Sequence, residues 1–467
     1  MAMDVVAKEV HVNRLRTDHP QNSSGIPPFF MTASDSPSSP SARYPARAPE
    51  QPGLATRRAA LRLLDAVIRR GQPLETALHG ATQGLPPSDR ALVHAIAAET
   101  LRRVPDLDAL IDSATPRPLP EDAKARMVIR MALTQMLVLG TPHHAAIATA
   151  LPLVDGGPRK LVHGVLGNLG RANVQLPDAI TLPADVEERW NAQWGVDMSI
   201  AASAAMATRP PLDLALRDAT ETDAYVEKLG GTSLAPGHIR LDPDQDVTAL
   251  AGFDEGAWWV QDLAASIPAR LLGAGEGRHV LDLCAAPGGK TMQLAAAGWR
   301  VTALDKSKAR LGRMESNLER TGLIATVEAG DALKWEPEAP AAAVLLDAPC
   351  SATGIFRRHP DVLHRIGARQ VAEMAEIQAA LLARAADWVI PGGRLVYATC
   401  SLECAEGEDQ IEEFLASRPD FRCESPAEGI LPIGVAPSPE GWVRTTPATL
   451  SGSGGVDGFF IALLVRN

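Results

Sequence analysis

The sequence predicts a multidomain chain: an all-α bundle, then a small α/β linker domain, then a larger α/β domain built on a mostly parallel sheet. Three observations lead there. The chain has 467 residues, room for about three domains at roughly 150 residues each. Apolar residues recur at helical spacing from Leu54 to about Gly170. From about Arg278 the pattern changes to short apolar strands alternating with helices. With 46% hydrophobic and 22% charged residues, the composition excludes a wholly disordered chain. No apolar run reaches the ~18 to 20 residues that cross a bilayer, since the densest, Met127 to Leu139, is broken by Arg130, Thr134 and Gln135. The N-terminus carries charges where a secretory signal needs an apolar core, so a cytoplasmic location is expected.

Residues 1–54 read as a disordered leader, because Pro20, Pro27, Pro28, Pro37, Pro40 and Pro45 with interleaved Ser and Gly leave little apolar material to offset ordering entropy. Met31 within it offers an alternative translation start. Residues 55–175 read as the bundle. Leu61, Leu64, Val67 and Ile68 share a face, as do Leu92, Val93, Ile96 and Leu101, and further along Met127, Val128, Met131 and Leu137. Ser88-Asp89 is expected to cap a helix starting near Arg90, Thr141-Pro142 to close another, and Leu161–Leu169 to open the last. In the linker domain, residues 176–270, Trp190 and Trp194 lie on one helix face, Pro210-Pro211 opens an extended segment through Leu216, and Ile239–Leu241 is a short strand. The third domain, 271–467, alternates strands at 280–283, 300–304, 326–328, 343–347 and 394–398 with helices at 290–297, 308–321 and 369–389. Helices then cover both faces of the sheet, and ligands lie at the carboxyl ends of its strands.

The net charge of −11 is unevenly distributed. Residues 57–178 hold 15 basic and 11 acidic side chains, whereas residues 179–467 hold 25 and 40. A whole-chain charge therefore does not exclude a local basic face that could meet a nucleic acid. The five cysteines are odd in number and lack zinc spacing, so neither a disulfide framework nor a metal site is expected.

Cys284-Ala285-Ala286-Pro287-Gly288-Gly289-Lys290 follows the first strand and opens the first helix. Small residues and two glycines let the backbone approach a ligand, and free N–H groups at a helix start favour polar or anionic groups. The run matches neither GxGxxG nor a P-loop. Asp305 ends the second strand, where a carboxylate accepts from ribose hydroxyls, and Asp331 follows the third, placed to take an adenine amino group. S-adenosylmethionine fits this set better than a dinucleotide.

Two cysteines follow the next two strands, in Asp347-Ala348-Pro349-Cys350-Ser351 and Ala398-Thr399-Cys400-Ser401. Their polar, Pro- and Gly-punctuated loops favour nucleophilic chemistry over burial as small hydrophobes; Cys404 and Cys423 have no such setting. A thiol beside a methyl donor has a specific use. Carbon 5 of cytosine becomes nucleophilic once a thiolate has added to carbon 6, and a carboxylate such as Asp347 can hold the N3/N4 edge. Spacing leaves open which cysteine attacks.

DLCAAPGGKT at 282–291, DAPCSATGIFRRHPD at 347–361 and ATCS at 398–401 resemble the RNA 5-methylcytosine methyltransferases of the NOL1/NOP2/Sun family. The helical region resembles a NusB-like RNA-binding domain, notably at PHHAA, 142–146, and LVHGVL, 161–166. The resemblance implies a Rossmann-like, S-adenosylmethionine-dependent enzyme acting on small-subunit ribosomal RNA, without membrane or metal. It makes Cys400 the carbon 6 nucleophile and Cys350 the residue that assists product release. Lys290 and Asp347 complete the expected catalytic set, and the resemblance makes Cys284 to Lys290, Asp305, Asp331 and Asp347 cofactor contacts. Transfer RNA as substrate and a non-catalytic RNA-binding factor are the competing readings. Arg357, Arg358 and His359 are either phosphate binders or a solvated basic turn. The chain departs from the family at Glu403-Cys404-Ala405-Glu406, where Pro-Glu-Glu is usual, and at His163, where Asn is usual; neither departure is expected to touch the chemistry.

Overall fold

The computed structural model describes residues 51–467; the leader up to residue 50, with Met31, lies outside the described residues. Seven helices form the bundle: α1 (Leu54–Ile68), α2 (Leu74–Ala81), α3 (Pro87–Arg102), α4 (Val104–Ser113), α5 (Lys124–Leu137), α6 (His143–Ala150) and α7 (Gly156–Arg171). Their apolar stripes meet in one core containing Leu63, Leu64, Ile96, Leu101, Val128 and Leu166. Ser88-Asp89 does not cap α3. That helix starts at Pro87, with no side-chain cap bond, since proline at the first position has no N–H to satisfy. Pro142 is the N-cap of α6, and α7 begins at Gly156, ahead of the expected Leu161. Two buried arginines of α5 pair with acids of α4: Arg126 meets Asp112 at 2.9 Å and Asp108 at 3.0 Å, and Arg130 meets Asp108 at 2.6 Å.

Helices α8 (Ala184–Trp194) and α9 (Val196–Ala207) follow. They share a core with Phe356, Val362, Leu363 and Leu402 of the large domain. Next come β1 (Leu212–Leu216), α10 (Thr222–Leu229), β2 (His238–Leu241), β3 (Trp258–Val260) and α11 (Leu263–Leu272). The three strands make an antiparallel sheet in the order β2-β1-β3. The sequence assigned this region only weakly because its strands bury charge. Asp213 of β1 is fully enclosed and bound at two 2.7 Å contacts by Arg240 of β2, which breaks the apolar alternation.

The large domain contains β4 (His279–Leu283), α12 (Gly289–Ala296), β5 (Arg300–Asp305), α13 (Lys308–Thr321), β6 (Thr326–Ala329), β7 (Ala341–Asp347), α14 (Val362–Arg365) and α15 (Ala368–Asp387). It ends with β8 (Val389–Thr399), α16 (Glu408–Ser417), β9 (Phe421–Cys423), β10 (Val443–Thr445) and β11 (Phe459–Arg466). The strand order is β10-β11-β8-β7-β4-β5-β6, with β9 paired to β11. β6 through β8 run parallel. β11, outside the expected alternation, inserts antiparallel beside β8 with Phe460 opposite Thr399. The bundle touches this domain where His364 donates to Leu101 O at 2.5 Å, Arg102 donates to Arg357 O at 3.1 Å, and Leu74 N donates to Asp361 at 3.2 Å. Among the described residues no helix is long and apolar enough to cross a membrane.

Candidate active site

After β4 the chain builds β5 and β6 on one side and β7 and β8 on the other. The strand ends around β4 therefore form the crevice that parallel sheets use for ligands. The loop from Cys284 leaves β4 with a left-handed residue, Cys284 at φ 60°. It enters α12 through Gly288 at φ 101°, where a Cβ would lie 2.6 Å from Met314 Cγ, so only glycine fits. Asp305 fastens this loop, its carboxylate accepting from Ala286 N at 3.1 Å and from Ser307 N at 2.8 Å. Gly330 N donates to Asp305 O at 3.1 Å, which brings the exposed Asp331 to the same rim. Lys290 crosses to β7, donating to Asp347 at 2.8 Å with its ammonium 5.4 Å from the Phe459 ring centre. Ala285, Ala286, Pro287, Gly289, Lys290 and Asp347 share in lining a cavity of 320 Å³. The structure thus gathers the sequence-derived residues from Cys284 to Lys290, Asp305, Asp331 and Asp347 on adjoining strand ends.

Asp282, under the loop, was not singled out from sequence. It is fully buried, accepts from Thr291 Oγ1 at 2.6 Å, and is pushed up to about 7, chiefly by burial. Its Oδ1 has no hydrogen-bond partner among the described residues. The Cys284 thiol is pushed up to about 12, first by burial and then by Asp347 and Asp305, so it remains protonated and is no nucleophile.

Cys350 and Cys400, on the loops after β7 and β8, stand with sulfurs 3.4 Å apart. The hydrogen bond to Cys400, followed by burial, holds the Cys350 thiol well above its ordinary value. Either sulfur of the pair can donate to the other. Burial pushes Cys404 and Cys423 up to about 11.

Two sequence expectations need correction. Arg357 and Arg358 are neither phosphate binders nor a solvated turn. Arg357 is 2% exposed and donates to Gly454 O at 2.9 Å, while Arg358 donates to Asp262 at 2.6 Å and lies 3.5 Å from Asp457. The departure at 403–406 also reaches the thiol loops. Glu403 accepts from Arg189, Trp190 and Gln193 of α8 at 3.0 to 3.1 Å. Glu406 is bonded to the serines that follow both cysteines, Ser351 and Ser401.

Residues 269–465 match the family described as 16S rRNA methyltransferase RsmB/F, and residues 54–171 match the NusB family. A ribosomal RNA small subunit methyltransferase B of Xanthomonas campestris pv. campestris is 35% identical over 439 residues, covering 89% of this chain and 98% of the relative. Its namesake in Salmonella paratyphi B is 33% identical over 390 residues, covering 77% and 90%. Among solved structures, PH0851 superposes with a TM-score of 0.66 at 24% identity, covering 87% of this chain and 98% of that one. NSun6 from Pyrococcus horikoshii with SFG gives 0.53 at 20% identity, covering 61% and 98%. These two likenesses concern the fold.

Proposed function

Since this chain belongs to the RsmB/F family of 16S rRNA methyltransferases, with a NusB-family domain ahead of the methyltransferase domain, we propose that it methylates carbon 5 of a cytosine in that RNA. The observation that carries the reading is the thiol pair at 3.4 Å, one strand end away from the Lys290–Asp347 pair. S-adenosylmethionine, when bound, supplies an electrophilic methyl group. Asp305 and Asp331 offer acceptors for its hydroxyls and amino group, and the glycine-bearing loop leaves room for it. Cys400 adds as thiolate to carbon 6, carbon 5 takes the methyl group, a base removes the carbon 5 proton, and Cys400 departs as the ring double bond re-forms. Cys350, held as a thiol, assists release, and Asp347, steadied by Lys290, holds the N3/N4 edge. The target must be unstacked, which suits a loop nucleotide in incompletely assembled subunits and a cytoplasmic enzyme.

Cys400→Ala should abolish turnover, whereas Cys350→Ala should accumulate a covalent RNA–protein adduct on denaturing gels. Bisulfite sequencing of RNA from a deletion strain should lose one signal in the small-subunit RNA. Full activity in Cys400→Ala, or an adduct that persists in it, overturns the reading.

A further inference from the structure

A single buried carboxylate stands behind both thiols. Glu406 lies on a short helical turn, Cys404–Glu406, and is fully enclosed. Its Oε1 accepts from Ser351 N at 2.8 Å and from Gln378 Nε2 at 3.0 Å. Its Oε2 accepts from the hydroxyls of Ser351 and Ser401. Ser351 follows Cys350 and Ser401 follows Cys400, so one side chain ties together the two loops that carry the sulfurs. The tie is braced on three sides. Gln378 of α15 also donates to Pro349 O at 2.9 Å, ahead of Cys350. Tyr397 and Thr399 of β8 donate to Glu406 O at 2.9 and 3.1 Å. Thr353 accepts from Leu402 N at 3.0 Å, a second link between the loops.

We propose that Glu406 is a positioning residue that sets the separation of Cys350 and Cys400. Hydrogen bonds to a charged acceptor are the strong ones, and a carboxylate offers enough lone pairs for all four donors at once. A serine in its place, with one oxygen on a shorter side chain, could not serve both loops in that way. The consequence for turnover rests on the thiol roles proposed above; the separation itself does not.

The test therefore reads the separation directly. In the full-length protein, diamide joins two adjacent thiols into a disulfide, its N=N bond taking up the two electrons and two protons that the thiols lose. The joined Cys350–Cys400 peptide is followed by mass spectrometry. Wild type should join readily. Glu406→Ala should join at least tenfold more slowly, and Glu406→Gln, which keeps Oε1 as acceptor and turns an amide toward hydroxyls able to accept, should recover most of the rate. In the methylation assay, Glu406→Ala should lower kcat by about 100-fold, the scale expected for a displacement near 1 Å, with the KM for S-adenosylmethionine within twofold of wild type. Should Glu406→Ala not fold, Ser401→Ala severs the tie to the Cys400 loop alone and should also slow joining. Wild-type joining rates in Glu406→Ala or Ser401→Ala, or no joining in wild type, overturn the proposal. Slowed joining together with an active Cys400→Ala enzyme would sustain Glu406 as the tie and remove the proposed thiol roles instead.

Discussion

Asp282 is fully buried at the end of β4, and burial lifts its carboxyl to about 7. An acid whose folded value exceeds its unfolded one, near ~3.9, stabilises the fold below the unfolded value. That contribution is withdrawn as pH rises through about 7, and over the whole range it amounts to a few kcal/mol. Asp282→Asn should therefore melt higher than wild type at pH 8 and progressively lose the advantage as pH falls toward the unfolded value; an offset independent of pH would refute the assignment. Gly354 shows steric rather than electrostatic constraint. A Cβ there would lie 1.9 Å from Gly458 O and 2.9 Å from Cys400 O, so Gly354→Ala should cost about 1–3 kcal/mol and reduce turnover, read by thermal melts and methyl transfer. At this scale the gathering of the Cys284–Lys290 loop and the two thiols at strand ends was legible, because unusual residue types are concentrated there in short segments. Arg358 was not, since its partner Asp262 lies 96 positions away and no local pattern announces the pairing. Glu406 resembled one acid among several in a polar turn; only its enclosure between the loops of β7 and β8 gives it a role.

Helix α8 joins the methyltransferase domain to the segment before it. Trp190 is wholly buried, its ring centre 5.4 Å from that of Phe356, and its indole N–H donates to Glu403 at 3.1 Å. Gln193 accepts from Cys404 N at 2.9 Å, and Trp194 donates to Leu402 O at 2.8 Å. One face of α8 thus grips the chain directly after the Cys400 loop. Trp190→Ala should cost about 3–5 kcal/mol and, by loosening that grip, depress methyl transfer even below the melting transition, which parallel calorimetry and activity measurements would separate. An unchanged activity in the folded variant would deny α8 any influence on the site. Helix spacing made elements such as α13 readable to the residue, Lys308–Thr321. The small antiparallel sheet was obscured by Asp213 and Arg240 in its interior, and β11 is an unbroken apolar run, FFIALLV, whose partner strand no periodicity names.

For the molecule as a whole, charge counting overcounts the cations free to meet a phosphate. Arg126 and Arg130 belong to the basic excess of residues 57–178, yet both are buried against Asp108 and Asp112 and offer little to a phosphate. Arg130→Met should lower the melting temperature while leaving the salt dependence of RNA binding unchanged, because that slope counts only neutralised phosphates; a shallower slope would place Arg130 at the RNA. The overall class, helices followed by a mostly parallel α/β domain, was legible because each part has its own period. How the parts meet was not, since His364 to Leu101 and Arg102 to Arg357 join residues more than 250 positions apart.

The position of β11 also orders the events of protein synthesis. Thr399, the residue before Cys400, faces Phe460, and Lys290 lies against the ring of Phe459. The Cys400 loop and the Cys284–Lys290 loop are therefore both translated well before the strand that completes their surroundings. A ribosome still making this chain holds an unfinished enzyme: until Phe459–Arg466 has emerged, β8 has an open edge and Lys290 lacks its aromatic neighbour. Nascent chains stalled before Phe459 should fail to bind S-adenosylmethionine, while chains stalled with Arg466 clear of the exit tunnel should bind it. The enzyme's site is thus assembled only after the strand Phe459–Arg466 has joined β8.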